Sequence, residues 1–141
     1  MTSPSAPTGG VAGRRPPPAV VAAAALAALQ ALFCLLPGLS GLSFGMGGNL
    51  PALAVGLGYL VLSAASVLGA VQAVRGRSGR VLTVVGLALA VVWAVNLVLS
   101  LVLGIGFDVL SVLLLVLAVG VVLCMRRPEV QAWAPPRGTP V

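Results

Sequence analysis

Four long stretches of the chain are almost entirely apolar, and together they occupy most of its length. They run over residues 18–36, 51–74, 81–103 and 109–125. Crossing a bilayer core of roughly 30 Å takes about 20 apolar residues, because each residue of an α-helix rises about 1.5 Å. A single segment can satisfy its backbone hydrogen bonds within lipid only as a helix. The sequence therefore predicts an all-α protein with four transmembrane helices.

Charged residues are too scarce to cover a water-soluble surface. They make up 7% of the 141 residues, whereas hydrophobic residues make up 60%. A soluble domain carries about 25% charged residues. We therefore expect one transmembrane domain over residues 18–125. Tails at 1–17 and 126–141 flank it, and their content of Pro, Ser, Thr and Gly predicts disordered termini.

The first apolar stretch is followed by Pro37-Gly38, a pair that is typical of a helix end. Residues 37–49, which are uncharged and rich in glycine, would then form an outer loop at the level of the lipid headgroups. A signal peptide has an apolar core of only about 7 to 15 residues, shorter than this stretch. We therefore expect the first helix to be retained as an anchor.

All basic residues are arginines, and they flank the apolar stretches unequally. They precede the first stretch, separate the second from the third, and follow the fourth, so four crossings place all of them on one side. The positive-inside rule then predicts an antiparallel, up-down bundle with both termini in the cytoplasm. The arginines nearest the helix ends are predicted to contact anionic lipid headgroups: Arg75, Arg77, Arg80, Arg126 and Arg127.

Small and polar residues at alternating spacings of three and four indicate where helices pack, because membrane helices associate through small side chains and a few polar contacts. On the second stretch they are Ala52, Gly56, Tyr59, Ser63, Ser66, Ala70 and Ala73. On the third they are Thr83, Gly86, Ala90, Trp93, Leu97, Ser100 and Gly104, with Asn96 beside them.

The first stretch has a similar series at Ala23, Ala27, Gln30 and Cys34, and the fourth has a weaker one. We expect the first three helices to press these faces together and to turn leucine and valine toward lipid. The alternative is that small residues are simply frequent in a chain so rich in alanine and glycine.

Asp108 is the only acid near an apolar stretch. An ionisable group in a membrane is a candidate proton or ion site. However, Asp108 directly precedes the fourth stretch, where a carboxylate suits the N-terminus of a helix. We therefore favour a helix cap. The stretches also contain the polar side chains of Gln30, Asn96 and several serines. We interpret them as hydrogen-bonding links between helices rather than as the lining of a polar path.

Several kinds of chemistry are excluded by residue types alone. The chain has no histidine, two acids and two cysteines, so neither a usual metal site nor a Ser-His-Asp or Cys-His arrangement can form. Cys34 and Cys124 are predicted at opposite membrane surfaces, too far apart for a disulfide. The net charge of +6 is divided among short segments and offers no basic face for nucleic acid. We expect no enzyme, cofactor or metal.

Residues Leu123-Cys124-Met125 end the last apolar stretch and are followed by Arg126-Arg127-Pro128-Glu129-Val130-Gln131-Ala132-Trp133. Because of this segment, the second half of the chain, about residues 80–133, resembles small uncharacterised multi-spanning membrane proteins of actinobacteria. The absence of lysine is typical of a GC-rich genome. The resemblance implies a bacterial plasma membrane, and it brings no activity and no site residues.

The sequence favours a structural or accessory membrane protein that forms homo-oligomers or joins a larger membrane complex, because almost no chemically active residues are present. The alternative is a small transporter, channel or holin-like pore assembled from several copies. Such a pore could use hydroxyl and amide groups instead of charges. Its lining would come from Ser63, Ser66, Asn96 and Ser100.

Overall fold

The computed structural model describes residues 15–106 and 108–134, and all regular structure within them is helical. The helices are α1 (Pro18–Met46), α2 (Leu50–Val74), α3 (Arg80–Val102), α4 (Val109–Met125) and α5 (Pro128–Trp133). In this part of the chain α1, α2 and α3 are long and apolar enough to cross a membrane, and α4 is a shorter apolar helix. The all-α prediction is confirmed, and the helices are compatible with a membrane protein. The tail predictions for residues 1–14 and 135–141 lie outside the described residues.

The first helix is much longer than the sequence indicates. α1 has 29 residues and continues through Pro37 to Met46. The predicted loop over residues 37–49 is therefore wrong, since only residues 47–49 link α1 to α2. Pro37 removes one backbone hydrogen bond, which apolar helices tolerate when neighbouring helices pack around them. At 1.5 Å per residue α1 is about 43 Å long, more than a lipid core requires.

Glycines allow α1 and α2 to approach until their backbones touch. A Cβ atom added at Gly41 would lie 2.6 Å from the Cα atom of Gly56 and 2.7 Å from the carbonyl oxygen of Ala52. A Cβ atom added at Gly56 would lie 2.8 Å from the carbonyl carbon of Gly41. Gly38 and Gly45, on either side of Gly41, press against leucine side chains of α2 in the same way. No larger residue fits at Gly41 or Gly56 unless the helices separate.

Each of the four long helices has extensive contacts with two others. The contact of α1 with α2 is the largest, and α3 with α4, α1 with α4, and α2 with α3 follow in that order. Glycine also lies at the contact of α3 with α4, where Gly86 faces Val121 and Val122. The expectation that the first three helices form the packed centre is therefore incomplete, because α4 belongs to it.

Buried apolar side chains form two clusters along the helices. The first lies at the end marked by Arg75, Arg80 and Arg126, called the arginine end below, and contains Ala19, Val20, Ala23, Ala27, Ala70, Ala73, Leu82, Val121, Met125 and Val130. The second lies further along and contains Cys34, Val85, Leu89, Trp93, Leu114 and Ala118. Valine and leucine dominate the exposed surfaces of the same helices. Such a surface is compatible with an apolar environment such as lipid.

Residues 128–133, predicted to belong to a disordered tail, form the short helix α5. Pro128 occupies its first turn, where a missing N–H costs nothing. Val130 is buried in the first cluster, and the indole Nε1 of Trp133 donates a hydrogen bond of 3.2 Å to the carbonyl oxygen of Ala73. The prediction fails here because Val130 is buried and Trp133 is half-buried against the end of the bundled helices.

We expect Gly56→Ala to lower the thermal stability of the protein in detergent, because the added methyl group must push the α1 backbone away. Overpacking of this kind costs roughly 1–3 kcal/mol. Gly58→Ala is the matched control, since no atom lies within 4 Å of the added Cβ atom. It should leave the melting temperature unchanged or raise it slightly, as alanine favours a helix over glycine. Equal melting temperatures for the two variants, measured by circular dichroism, would show that the contact is misplaced.

Candidate functional site

Three buried polar side chains in the helices donate hydrogen bonds to backbone carbonyl oxygens. The hydroxyl of Ser63 in α2 donates to Ala31 of α1 at 2.9 Å, and the amide of Gln30 in α1 donates to Leu114 of α4 at 3.3 Å. The hydroxyl of Ser66 donates within α2, at 2.8 Å. The first two bonds therefore connect α1 to both of its main neighbours.

A chain of hydrogen bonds links α3 to the start of α4. The amide of Asn96 donates to the hydroxyl oxygen of Ser111 at 2.7 Å, and that hydroxyl donates to the Oδ2 atom of Asp108. The Oδ1 atom of Asp108 accepts the backbone N–H of Leu110 at 3.0 Å. Asp108 is thus the N-cap of α4, as the cap interpretation predicts.

These bonds change the ionisation of Asp108. The hydrogen bond from the Ser111 side chain is the main cause that lowers the pKa of this carboxyl below its ordinary value of 3.8. Partial desolvation acts in the opposite direction, and backbone N–H groups of Ser111 and Leu110 lower the pKa further. The carboxylate is therefore ionised near neutral pH.

The predicted packing residues of α2 lie mainly in the interior. Five are buried and two are half-buried: Gly56, Ser63, Ser66, Ala70 and Ala73, and then Ala52 and Tyr59. Tyr59 contacts the ring of Trp93, with ring centroids 5.9 Å apart and planes inclined by 39°. The indole nitrogen of Trp93 is buried and has no hydrogen-bond partner among the described residues.

The buried face of α3 differs from the predicted one. Gly86 and Trp93 are buried, but the other predicted positions are not. Half-buried are Thr83, Ala90, Asn96, Leu97 and Ser100, and Gly104 is exposed. Three aliphatic residues expected to face lipid are buried instead: Leu82, Val85 and Leu89. Burying an aliphatic side chain among helices or among acyl chains is nearly equivalent, so residue type alone does not distinguish the two environments.

A group of exposed arginines lies at the arginine end of the helices. Arg75, Arg77, Arg80, Arg126 and Arg127 all have exposed side chains there. Two of them, Arg80 at the start of α3 and Arg126 at the end of α4, line one cleft of about 330 Å³ together with Gln131 of α5. Sequence reasoning missed this cleft because α5 was assigned to a disordered tail.

Thiols and carboxylates are scattered through the described residues. Cys34 is buried and Cys124 is half-buried, and both are free. No group of three histidine, cysteine or acidic residues that could hold a metal ion occurs in the described ranges.

No protein-family model, curated protein or solved structure matches the chain. The function is therefore inferred from the polar contacts within the helices and from the distribution of charge.

We expect acid to destabilise the protein partly through Asp108. Its pKa is lowered on folding, so its contribution is present above the ordinary value of 3.8 and is lost as the pH falls through the folded pKa. Between about pH 6 and about pH 3 the melting temperature of the wild type should fall further than that of Asp108→Asn, which keeps a capping oxygen. Glu129 is present in both proteins, so its protonation cancels in the comparison. Identical pH profiles would contradict this role of Asp108.

Proposed function

We propose that this protein is an integral plasma-membrane protein and that it serves a structural or accessory role. In this proposal it forms an antiparallel, up-down four-helix bundle with both termini in the cytoplasm. It assembles as a homo-oligomer or with a larger membrane protein, and it performs no enzymatic reaction.

The antiparallel contact between α1 and α2 supports an up-down bundle. Along the contact of α1 with α2, Gly38 lies against Leu60 and Gly45 lies against Leu53, so ascending positions in one helix meet descending positions in the other. α4 has 17 residues. A membrane-spanning helix needs at least about 17, so α4 is just long enough to cross.

The charge distribution supports the orientation. Arg75 ends α2, Arg80 begins α3 and Arg126 ends α4, whereas the links at the other ends of these helices carry no arginine. Basic residues are retained on the cytoplasmic side during insertion and are attracted by anionic headgroups there. The exposed guanidinium groups of the arginine end suit that contact.

The observation that carries the accessory role is the engagement of the interior polar groups. Ser63 and Gln30 donate to carbonyl groups of neighbouring helices, and Asn96 donates to Ser111. Such bonds contribute about 0.6–1.7 kcal/mol each and fix helices against one another. An outer surface of valine and leucine leaves the protein suited to contacts within the membrane.

A pore assembled from several copies has less support. Ser63 and Ser66 are 5% and 1% exposed, so they could line a channel only after the packed helices separated. Ser100 and Asn96 lie on α3 and are half-buried. The four residues share no exposed surface that several copies could turn toward a common axis.

Topology is tested by labelling single cysteines introduced after replacing Cys34 and Cys124 by alanine. We expect Ile105→Cys to react with a membrane-impermeant maleimide in intact cells, because the link between α3 and α4 faces outward in this orientation. Ala132→Cys on α5 should react only after the cells are permeabilised. Both positions are exposed, so accessibility within the protein does not limit the reaction. The reverse pattern would contradict the orientation.

The accessory role is tested by two measurements on the full chain. Light scattering in a mild detergent should find more than one copy per particle or a stable companion protein from the same membrane. Liposomes containing the purified protein should pass ions and small solutes no faster than protein-free liposomes. A solitary monomer would contradict the accessory role, and protein-dependent flux would favour the pore.

A further inference from the structure

The cleft at the arginine end is built from three helices and differs in chemistry from the rest of the surface. Arg80, Arg126 and Gln131 line it, and the side chains of Met125 and Val130 form its apolar floor. We infer that this cleft binds the phosphate group of one anionic phospholipid in preference to the surrounding lipids. The inference rests on the proposed membrane insertion and assigns one selective site among the arginines of that face.

The charge of the cleft favours an anion. Arg80 and Arg126 come from different helices, and each guanidinium can donate paired N–H groups to phosphate oxygens. The side-chain acids of the chain leave this charge uncompensated. Asp108 caps the opposite end of α4, and Glu129 is exposed and does not line the cleft.

The start of α3 adds to this potential. Its N-cap is Gly79, which also lines the cleft and has no side chain. The Ser78 hydroxyl accepts only the backbone N–H of Arg80, at 3.3 Å. The N-terminus of a helix carries partial positive charge and attracts phosphate. The side-chain amide of Gln131 donates a hydrogen bond of 3.5 Å to the carbonyl oxygen of Arg126. This bond holds the amide beside the two arginines.

An adjoining groove supports a lipid over a free phosphate ion. A second cavity of about 420 Å³ shares Arg80, which lies there beside Gln72 and Ser78, and its apolar part extends along Val81, Val84 and Val85 of α3. Arg80 therefore lies where a cationic cleft meets an apolar groove. A phospholipid has the matching arrangement, with a phosphate at one end and an acyl chain at the other. The phosphate occupies the cleft, and one acyl chain follows the valines into the membrane.

The test is native mass spectrometry of the full chain. The protein is released from detergent in two samples, one containing phosphatidylglycerol and the other phosphatidylcholine with the same acyl chains. The wild type should retain one phosphatidylglycerol per protomer and should bind phosphatidylcholine at least about tenfold more weakly. Both lipids carry a phosphate, but the choline cation cancels the net charge that attracts the two arginines, at roughly 1 kcal/mol each. Arg80→Gln and Arg126→Gln should each weaken phosphatidylglycerol binding by about tenfold or more. Circular dichroism checks that each variant retains its helices.

Arg77→Gln and Arg127→Gln are the matched controls, because both remove an exposed arginine from the same end without touching the cleft. They should change binding by less than about twofold, since an exposed charge outside the cleft is screened by water and salt. An equal loss in all four variants would show general attraction to the surface and would overturn the site. Displacement of the lipid by millimolar inorganic phosphate would assign the cleft to the free ion and would also overturn the lipid site.

Oligomeric state is read from the same spectra. Loss of lipid preference in an intact oligomer therefore contradicts the lipid site and leaves the accessory role standing.

Discussion

The close backbone contact between α1 and α2 is the constraint on which the rest of the structure depends. In lipid, burying leucine between helices gains little, because acyl chains are equally apolar, so association requires van der Waals contact over a close approach. Gly41 and Gly56 provide it by removing the side chains that would otherwise separate the two helices. Once α2 lies this close, the Ser63 hydroxyl reaches the carbonyl oxygen of Ala31 further along the same contact.

Polar bonds then connect the remaining helices to this pair. Gln30 extends from α1 to the backbone of α4, and the bond between Asn96 and Ser111 joins α4 to α3. These groups are few, and each is engaged with another helix. The arginines lie at one end of the helices, and Asp108 lies at the other, where it accepts a hydrogen bond from Ser111. The molecule therefore combines an interior that fixes helix positions with one cationic end.

Much of the fold follows from the sequence, and the parts that do not have physical reasons. Apolar length predicts α2, α3 and α4 well, because the backbone in lipid has few other choices. Pro37-Gly38 is typical of a helix end in water, yet here glycine marks close helix approach, so α1 continues to Met46. The buried face of α3 is not predictable from residue type, since its leucines and valines suit lipid and protein equally. The cleft depends on α5, whose stability comes from the tertiary contacts of Val130 and Trp133.

The most direct measurement of the central contact is nuclear magnetic resonance spectroscopy of the full chain in lipid nanodiscs. The structure predicts helical Cα chemical shifts for residues 38–46 and nuclear Overhauser effects between the Hα protons of Gly41 and Gly56. Random-coil shifts over residues 38–46, with no Overhauser effect between these two glycines, would contradict the contact and the arrangement of helices built on it.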